Sequence, residues 1–469
     1  FISHPYLYIY ALWILLSFGI GLTFGWVTTF VTLDNLKSKL KILAIASFAT
    51  LLEWGRLFIL SGFSWNPIGI APSGNIYLMQ FSSLLGVYGL SFWVYLSNLL
   101  LLKAYYLKSW KLYFTIVSVP LLFGLWQLKN HDQQRSALPQ TELKALLVQT
   151  AFPIEETLVF KDFSEYRKFV VEEWKSILNS LKPHQGKDID LIVLPEYVVP
   201  FGTYTPVFEA ETIKKLFHEN LSDKVVFNFP YQEEKEGVKW VSNADIIQTI
   251  SNHFGSDVIA GLEDAEYNHE KELDHFSSAF LFEPFKPGKE RRYDKRVLVP
   301  MGEYIPFKFC RDLAKSYGIC GSFKCGEEAK VFEGKVAPFG LSICYEETYA
   351  NLMRENRLKG AQFLVNLTSD VWYPNSLLPE QHRDHARLRS VEGGYPLLRA
   401  CNTGVTCAID SMGRTIGEIK GEWERGALYV KIPLYSYQTL YTQTGDQLLI
   451  GFCLGFIGLS LLRRKLKMH

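Results

Sequence analysis

The sequence predicts a multi-domain membrane protein: an α-helical transmembrane bundle followed by an α/β extracytoplasmic domain. Three observations carry this reading: long charge-free runs, an uneven placement of Lys and Arg between them, and a switch to short apolar runs separated by helical periodicity. No Asp, Glu, Lys or Arg occurs from Pro5 to Leu33 or from Ile76 to Leu102. Either run exceeds the roughly 20 residues that cross a bilayer core. Further helices are expected from Ile42 to Leu60, interrupted by Glu53 and Arg56, from Leu112 to Leu128 around Pro120, and from Gln447 to Leu462. The last ends in Arg463, Arg464, Lys465 and Lys467, a cytoplasmic stop signal.

Basic loops stay in the cytoplasm. Lys37, Lys39 and Lys41 join the first two helices, and Lys103, Lys108 and Lys111 join the third and fourth, whereas Ser61 to Asn75 carries no Lys or Arg. That parity puts the chain outside after Leu128 and returns it inside at the basic tail. The expected organisation is residues 1–128 as transmembrane helices, 129–445 as an extracytoplasmic domain, and 446–469 as a final helix and tail. The parity also puts Phe1 outside, so a cytoplasmic start requires an odd number of helices ahead of it.

Within the central region Leu143–Gln149 reads as a strand and Tyr166–Leu181 as an amphipathic helix. Short apolar runs follow at Leu191–Leu194, Lys224–Phe227, Val258–Ala260, Ala279–Phe282, Gly340–Ile343 and Gln362–Val365. Strands buried on both faces and separated by helices predict an α/β layered sheet. Pro200–Phe208 and Met301–Cys325 read as long loops, which at that length are usually functional or mobile. With 49 Lys+Arg against 48 Asp+Glu there is no electrostatic case for nucleic acid. An aromatic content of 15% excludes wholesale disorder.

Three segments each place one reactive side chain beside a buried apolar run, where loops build sites on α/β sheets. They are LIVLPEY with Glu196, RRYDKRVLVPMGEYIPF with Lys295 and Glu303, and GLSICYEETY with Cys344, Tyr345 and Glu346. Singly, each reads as readily as a solvated carboxylate, a solvated lysine or a buried thiol. Together, and in this order, they resemble the glutamate, lysine and cysteine segments of the nitrilase superfamily. EWGRLFILSGFSWNPIG (Glu53–Gly69), LLGVYGLSF (Leu84–Phe92), LRACNTGVTCAIDSMG (Leu398–Gly413) and YTQTGD (Tyr441–Asp446) extend the match from the helices to the tail. In this combination the chain resembles the apolipoprotein N-acyltransferases, the membrane-embedded members of that superfamily.

The resemblance implies an α-β-β-α nitrilase-like sandwich in a bacterial inner membrane, facing the periplasm. It implies transfer of an acyl chain from a phospholipid to the N-terminal diacylglyceryl-cysteine of apolipoproteins. Cys344 is then the nucleophile, Glu196 the base and Lys295 the oxyanion cation. Glu303 and Glu346 are expected to orient Lys295 or share protons, and Tyr345 to pack near the thioester. No metal or organic cofactor is called for; the partners are phospholipid, lipoprotein and the bilayer. The family usually has seven membrane helices ahead of this domain. With four counted here and a start at Phe1 rather than Met, three more are expected to precede it. A membrane-anchored amidase would use the same residues with water as acceptor, and a non-catalytic scaffold would keep only the fold.

In the family's SNDAWF-like segment this chain reads TSDVWYP (Thr368–Pro374), with Ser369 in place of the usual Asn and Asp370 and Trp372 kept. Cys310, Cys320 and Cys325 allow a disulfide outside the cytoplasm. Glu53 and Arg56, three apart, either pair with each other or leave Arg56 for a lipid phosphate. The aromatic loops at Tyr197–Phe208 and Met301–Phe323 either dip into the outer leaflet or pack on their own domain.

Overall fold

A computed structural model describes residues 7–59, 62–138, 141–153, 158–222, 224–269, 271–288, 291–300, 302–307 and 323–466. Within them two six-stranded sheets lie face to face. The first runs in the order Gly426–Pro433, Glu142–Gln149, Leu191–Val193, Asp257–Tyr267, Leu273–Phe282, Arg291–Asp294. The second runs Thr415–Glu418, Cys407–Ile409, Leu397–Cys401, Phe363–Thr368, Pro338–Ile343, Val331–Glu333. Each has three parallel central strands with antiparallel flanks.

Alternation along the strands makes the layers. Leu143, Ala145 and Leu147 point inward with Val193 and Ile259 onto Phe339, Leu341, Ile343 and Val365 of the second sheet, forming a dry inter-sheet core. Leu146, Val148 and Ile192 point outward under the Phe163–Leu181, Ala210–Asn220 and Asn243–Phe254 helices. The second sheet's outer face carries the Ala350–Leu358 and Leu378–Gly393 helices. The result is an α-β-β-α sandwich. The Lys224–Phe227 run forms no strand, contrary to expectation: Leu191–Val193 pairs directly with Asp257–Tyr267, so the sheet has no vacancy for it. Val225 is buried while Val226 is 72% exposed.

Three of the expected membrane helices, Ser82–Leu107, Lys111–Ala137 and Gln447–Arg464, are long and apolar enough to cross a bilayer. Leu7–Thr28 is also apolar, with Trp13, Ile14, Leu15 and Phe18 exposed. Lys39–Gly55 is shorter than the predicted run, because the chain tightens into a 3-10 turn at Arg56–Phe58. It packs against Ser82–Leu107 and Gln447–Lys465. The Ile76–Leu102 run is not one helix: Ile76–Met79 is separate, and Gly86 interrupts the next with φ 69° and ψ −172°. A Cβ there would sit 2.5 Å from the Tyr441 ring, so glycine permits both the conformation and the contact. The bundle docks on the Leu378–Gly393 helix, where Leu388 and Val391 pack with Met79, Val87, Leu90, Leu449 and Cys453.

Candidate active site

The three reactive side chains meet where strands of the two sheets end. Glu196 follows Leu191–Val193, Lys295 follows Arg291–Asp294, and Cys344 follows Pro338–Ile343. The Glu196 loop is strapped to the neighbouring strand, with Leu194 N donating to Ile259 O, Gly261 N to Pro195 O and Val198 N to Gly261 O. Gly261 allows this approach, since a Cβ would lie 2.6 Å from the Glu196 Cα. Cys344 takes φ 50°, left-handed and unusual for a non-glycine residue, at the start of the Cys344–Thr348 turn. Backbone strain of this kind collects at functional positions.

Lys295 is fully buried; its Nζ donates to Glu196 Oε1 at 3.0 Å and to Glu303 Oε1 at 2.5 Å. Glu303 Oε2 accepts from Val299 N at 2.9 Å, which fixes the second carboxylate. Burial works against the Lys295 charge, but the facing Glu196 and Glu303 carboxylates prevail and hold it well above the ordinary lysine value. Burial, aided by the Glu303 charge, raises Glu196 above the usual carboxylate range, against the pull of Lys295 and a hydrogen bond with Cys344. Burial and the Glu196 charge push the Cys344 thiol well up, so it rests protonated beside a carboxylate able to take its proton. Cys344 itself is only partly buried.

Glu346 acts on the chain beside Lys295 and feels the Lys295 charge. It is fully buried and accepts from Arg296 N, from Val297 N at 3.2 Å, from Tyr293 OH at 2.9 Å and from Ile343 N at 2.8 Å. It thus ties the chain after Lys295 to the residue before Cys344, and burial raises its carboxyl. Tyr345 stacks on Trp65, ring centroids 6.2 Å apart, and its hydroxyl donates to Gly62 O and accepts from Ser64 N. Ser369 accepts from Asn402 Nδ2 at 3.2 Å. Phe201, Tyr204 and Phe208 pack into their own domain's core, which answers the choice left open for that loop. Met301 and most of the second loop, Cys310 and Cys320 among them, lie outside the described residues; Cys325 has a free thiol.

Sequence reasoning passed over a polar cluster behind Cys344. His382 Nδ1 faces Asp370 Oδ1 at 2.8 Å, and its Nε2 faces Glu347 Oε1 at 3.0 Å and Cys344 O at 3.3 Å. Arg399 closes the cluster, donating to Glu347 at 2.9 Å and Asp370 at 3.4 Å. A signal was present: His382, His385, Arg389 and Glu392 fall at helical spacing on one face. A groove of about 1030 Å³ lined by Ile76, Tyr77, Trp126, Lys129, Asp132 and Arg414 contains none of these residues. Among the described residues no group of His, Cys, Asp and Glu is arranged to hold a metal ion.

An α-β-β-α sandwich with Glu196, Lys295 and Cys344 at its strand ends defines a carbon-nitrogen hydrolase, and the Carbon-nitrogen hydrolase family model matches residues 167–441. Among solved structures, Nit3 of Saccharomyces cerevisiae, a member of the nitrilase superfamily, is similar to this chain at 17% identity, with 66% of this chain and 95% of that one covered and a TM-score of 0.40. The model for the Apolipoprotein N-acyltransferase N-terminal domain matches residues 1–100. Apolipoprotein N-acyltransferase of Chlamydia pneumoniae is 33% identical over 97% of this chain and 84% of its own length; that of Geobacter metallireducens is 27% identical over 84% and 69%. The chain belongs to the apolipoprotein N-acyltransferase family and is a membrane protein.

Proposed function

We propose that the protein N-acylates lipoproteins by a two-step transfer through Cys344. The observation that carries the mechanism is the buried Lys295 ammonium held between Glu196 and Glu303 next to a protonated thiol. In the first step Glu196 takes the Cys344 proton and the sulfur attacks an ester carbonyl of a membrane phospholipid. Lys295 stabilises the oxyanion, a term worth several kcal/mol in a dry site. Collapse breaks the ester C–O bond, and Glu196 returns the proton to the departing lysophospholipid oxygen. In the second step Glu196 takes a proton from the α-amine of the lipoprotein's diacylglyceryl-cysteine. The amine nitrogen attacks the thioester, the amide forms and the C–S bond breaks, and Glu196 passes its proton to the departing sulfur, regenerating the thiol. Glu303 holds Lys295 in place, and Tyr345 and Glu346 brace the nucleophile's turn.

The bilayer explains the tether. Drawing an acyl chain into water costs about 0.8 kcal/mol per CH₂, and a site at the membrane surface avoids that cost. The division into residues 1–128, 129–445 and 446–469, with the catalytic domain on the periplasmic side of the inner membrane, is supported by the loop charges. The Lys/Arg-free connection touches the catalytic domain through Ser64 and Trp65, as a loop on the same side of the membrane would.

Purified protein in detergent, incubated with a phospholipid, is expected to show an acyl adduct on Cys344 by mass spectrometry, and a diacylated lipopeptide is expected to discharge it. Absence of the adduct in wild type, or its persistence in Cys344→Ala, refutes the thioester. Discharge by water at the lipopeptide's rate identifies an amidase-type hydrolase instead.

A further inference from the structure

We propose that His382 is a positioning residue: by holding the Cys344 carbonyl it keeps the peptide plane that follows the nucleophile, and with it the Tyr345 N–H, in the orientation the acylation step needs. The proposal rests on the acyl-cysteine reading above. Its starting point is the left-handed φ of 50° at Cys344. That conformation turns the Cys344 carbonyl back into the domain, where it has two donors: Asn366 Nδ2 at 3.3 Å and His382 Nε2 at 3.3 Å. In a planar trans peptide the N–H points opposite the C=O. A carbonyl pinned inward therefore aims the Tyr345 N–H the opposite way, away from Asn366 and His382. As one of the first amides of the Cys344–Thr348 turn, it has no acceptor within that turn.

The imidazole is itself fixed. Asp370 and Glu347 hold its two nitrogens at 2.8 Å and 3.0 Å, and Arg399 grips both carboxylates. Every one of these side chains is at most 2% exposed. The Trp65 ring, from the loop that follows the Lys39–Gly55 helix, closes the cluster 5.1 Å from the His382 ring, while His385 Nε2 donates to Trp65 O at 2.7 Å. Such a cluster is costly to bury, and its one contact with the reacting residue is the Cys344 carbonyl. Loss of His382 leaves that carbonyl with a single donor and frees the plane to rotate, which slows acylation without touching the thiol, Glu196 or Lys295.

The test compares two reactions of the same sulfur in the full chain in detergent. Acylation by a phospholipid passes through an oxyanion; alkylation by iodoacetamide forms an S–C bond, expels iodide and does not. For His382→Ala the adduct is expected to form about ten- to a hundredfold more slowly at unchanged KM, less than the loss of a whole oxyanion donor costs, while alkylation of Cys344 keeps its wild-type rate. His382→Gln, which retains an N–H donor, is expected to recover part of the loss. Equal slowing of both reactions in His382→Ala and His382→Gln, as misfolding or a damaged nucleophile would produce, overturns the proposal, and so does acylation at the wild-type rate. If wild type itself forms no adduct while alkylating normally, the acyl-cysteine reading has failed, an outcome distinct from failure of the His382 assignment.

Discussion

At the scale of residues, the site is a balance of three charges and one neutral thiol. The Glu303 charge helps to hold the Glu196 carboxyl up, so removing it lowers the Glu196 value. Glu196 must be ionised to take the Cys344 proton, and activity is lost as pH falls through its value. Glu303→Gln is therefore expected to move the acid limb of kcat/KM to lower pH, while kcat drops because Lys295 has lost one of two anchors. A pH–rate profile of adduct formation checks this, and an upward shift contradicts it. Glu196, Lys295 and Cys344 were legible because each adjoins an apolar run that proved to be a strand or to lead into a buried loop. The roles of His382, Glu347 and Arg399 were not: His382 sits in a segment reading QHRDHARLR, where charge suggests a solvated face, and Glu347 and Arg399 lie in separate segments with nothing to link them to it. Their burial depends on partners more than ten residues away in sequence, which periodicity cannot see.

At the scale of elements, the Leu378–Gly393 helix does two jobs. Its His382 end lies behind Cys344, and its Glu392 end receives Val87 N at 2.6 Å and pairs with Arg389 at 2.8 Å. Burial raises the Glu392 carboxyl to about 7. An unfolded glutamate titrates near 4.3. Between those values the folded state holds a proton that the unfolded state has released. This contribution to stability is complete below the unfolded value and is lost as pH rises through about 7. Thermal unfolding in detergent is expected to show Tm falling from about pH 5 to about pH 8, with Glu392→Gln flattening that slope; an unchanged slope refutes the assignment. Gly86 offers a second check on the same junction. Gly86→Ala meets a left-handed φ and the Tyr441 ring at 2.5 Å, so a loss of about 1–3 kcal/mol, read as a lower Tm, is expected. The strands of the two sheet centres were legible from their apolar runs. The Lys224–Phe227 run misled because apolar content measures burial, and here only part of the run is buried.

At the scale of the whole molecule, the membrane helices and the catalytic domain share one polar seam. The chain leaving Arg56 returns through Gly62, Ser64 and Trp65 to the nucleophile's turn: Tyr349 OH donates to Gly62 O at 2.7 Å, Ser64 bonds Thr348, and Trp65 Nε1 donates to Gln381 at 3.1 Å. Arg56 secures this loop from the bundle side. Its Nη2 donates to Asn66 O at 3.1 Å and lies 3.4 Å from Glu53 Oε1, which also accepts from Ile68 N at 2.8 Å. Sequence left Arg56 a choice between Glu53 and a lipid phosphate; here it pairs with Glu53, and both side chains are largely buried. Breaking a buried pair by removing one partner costs about 3–5 kcal/mol, much of it the price of the charge left behind. Arg56→Ala is therefore expected to lower Tm in detergent and to slow acylation of Cys344, because the loop against Tyr345 and Tyr349 loses its anchor. Glu53→Gln in the same chain removes the stranded carboxylate, so the double variant is expected to regain part of the Tm but not the acylation rate. Additive losses of Tm in the double-mutant cycle would mean that the two residues act separately. Full recovery of acylation would mean that the loop does not depend on Arg56.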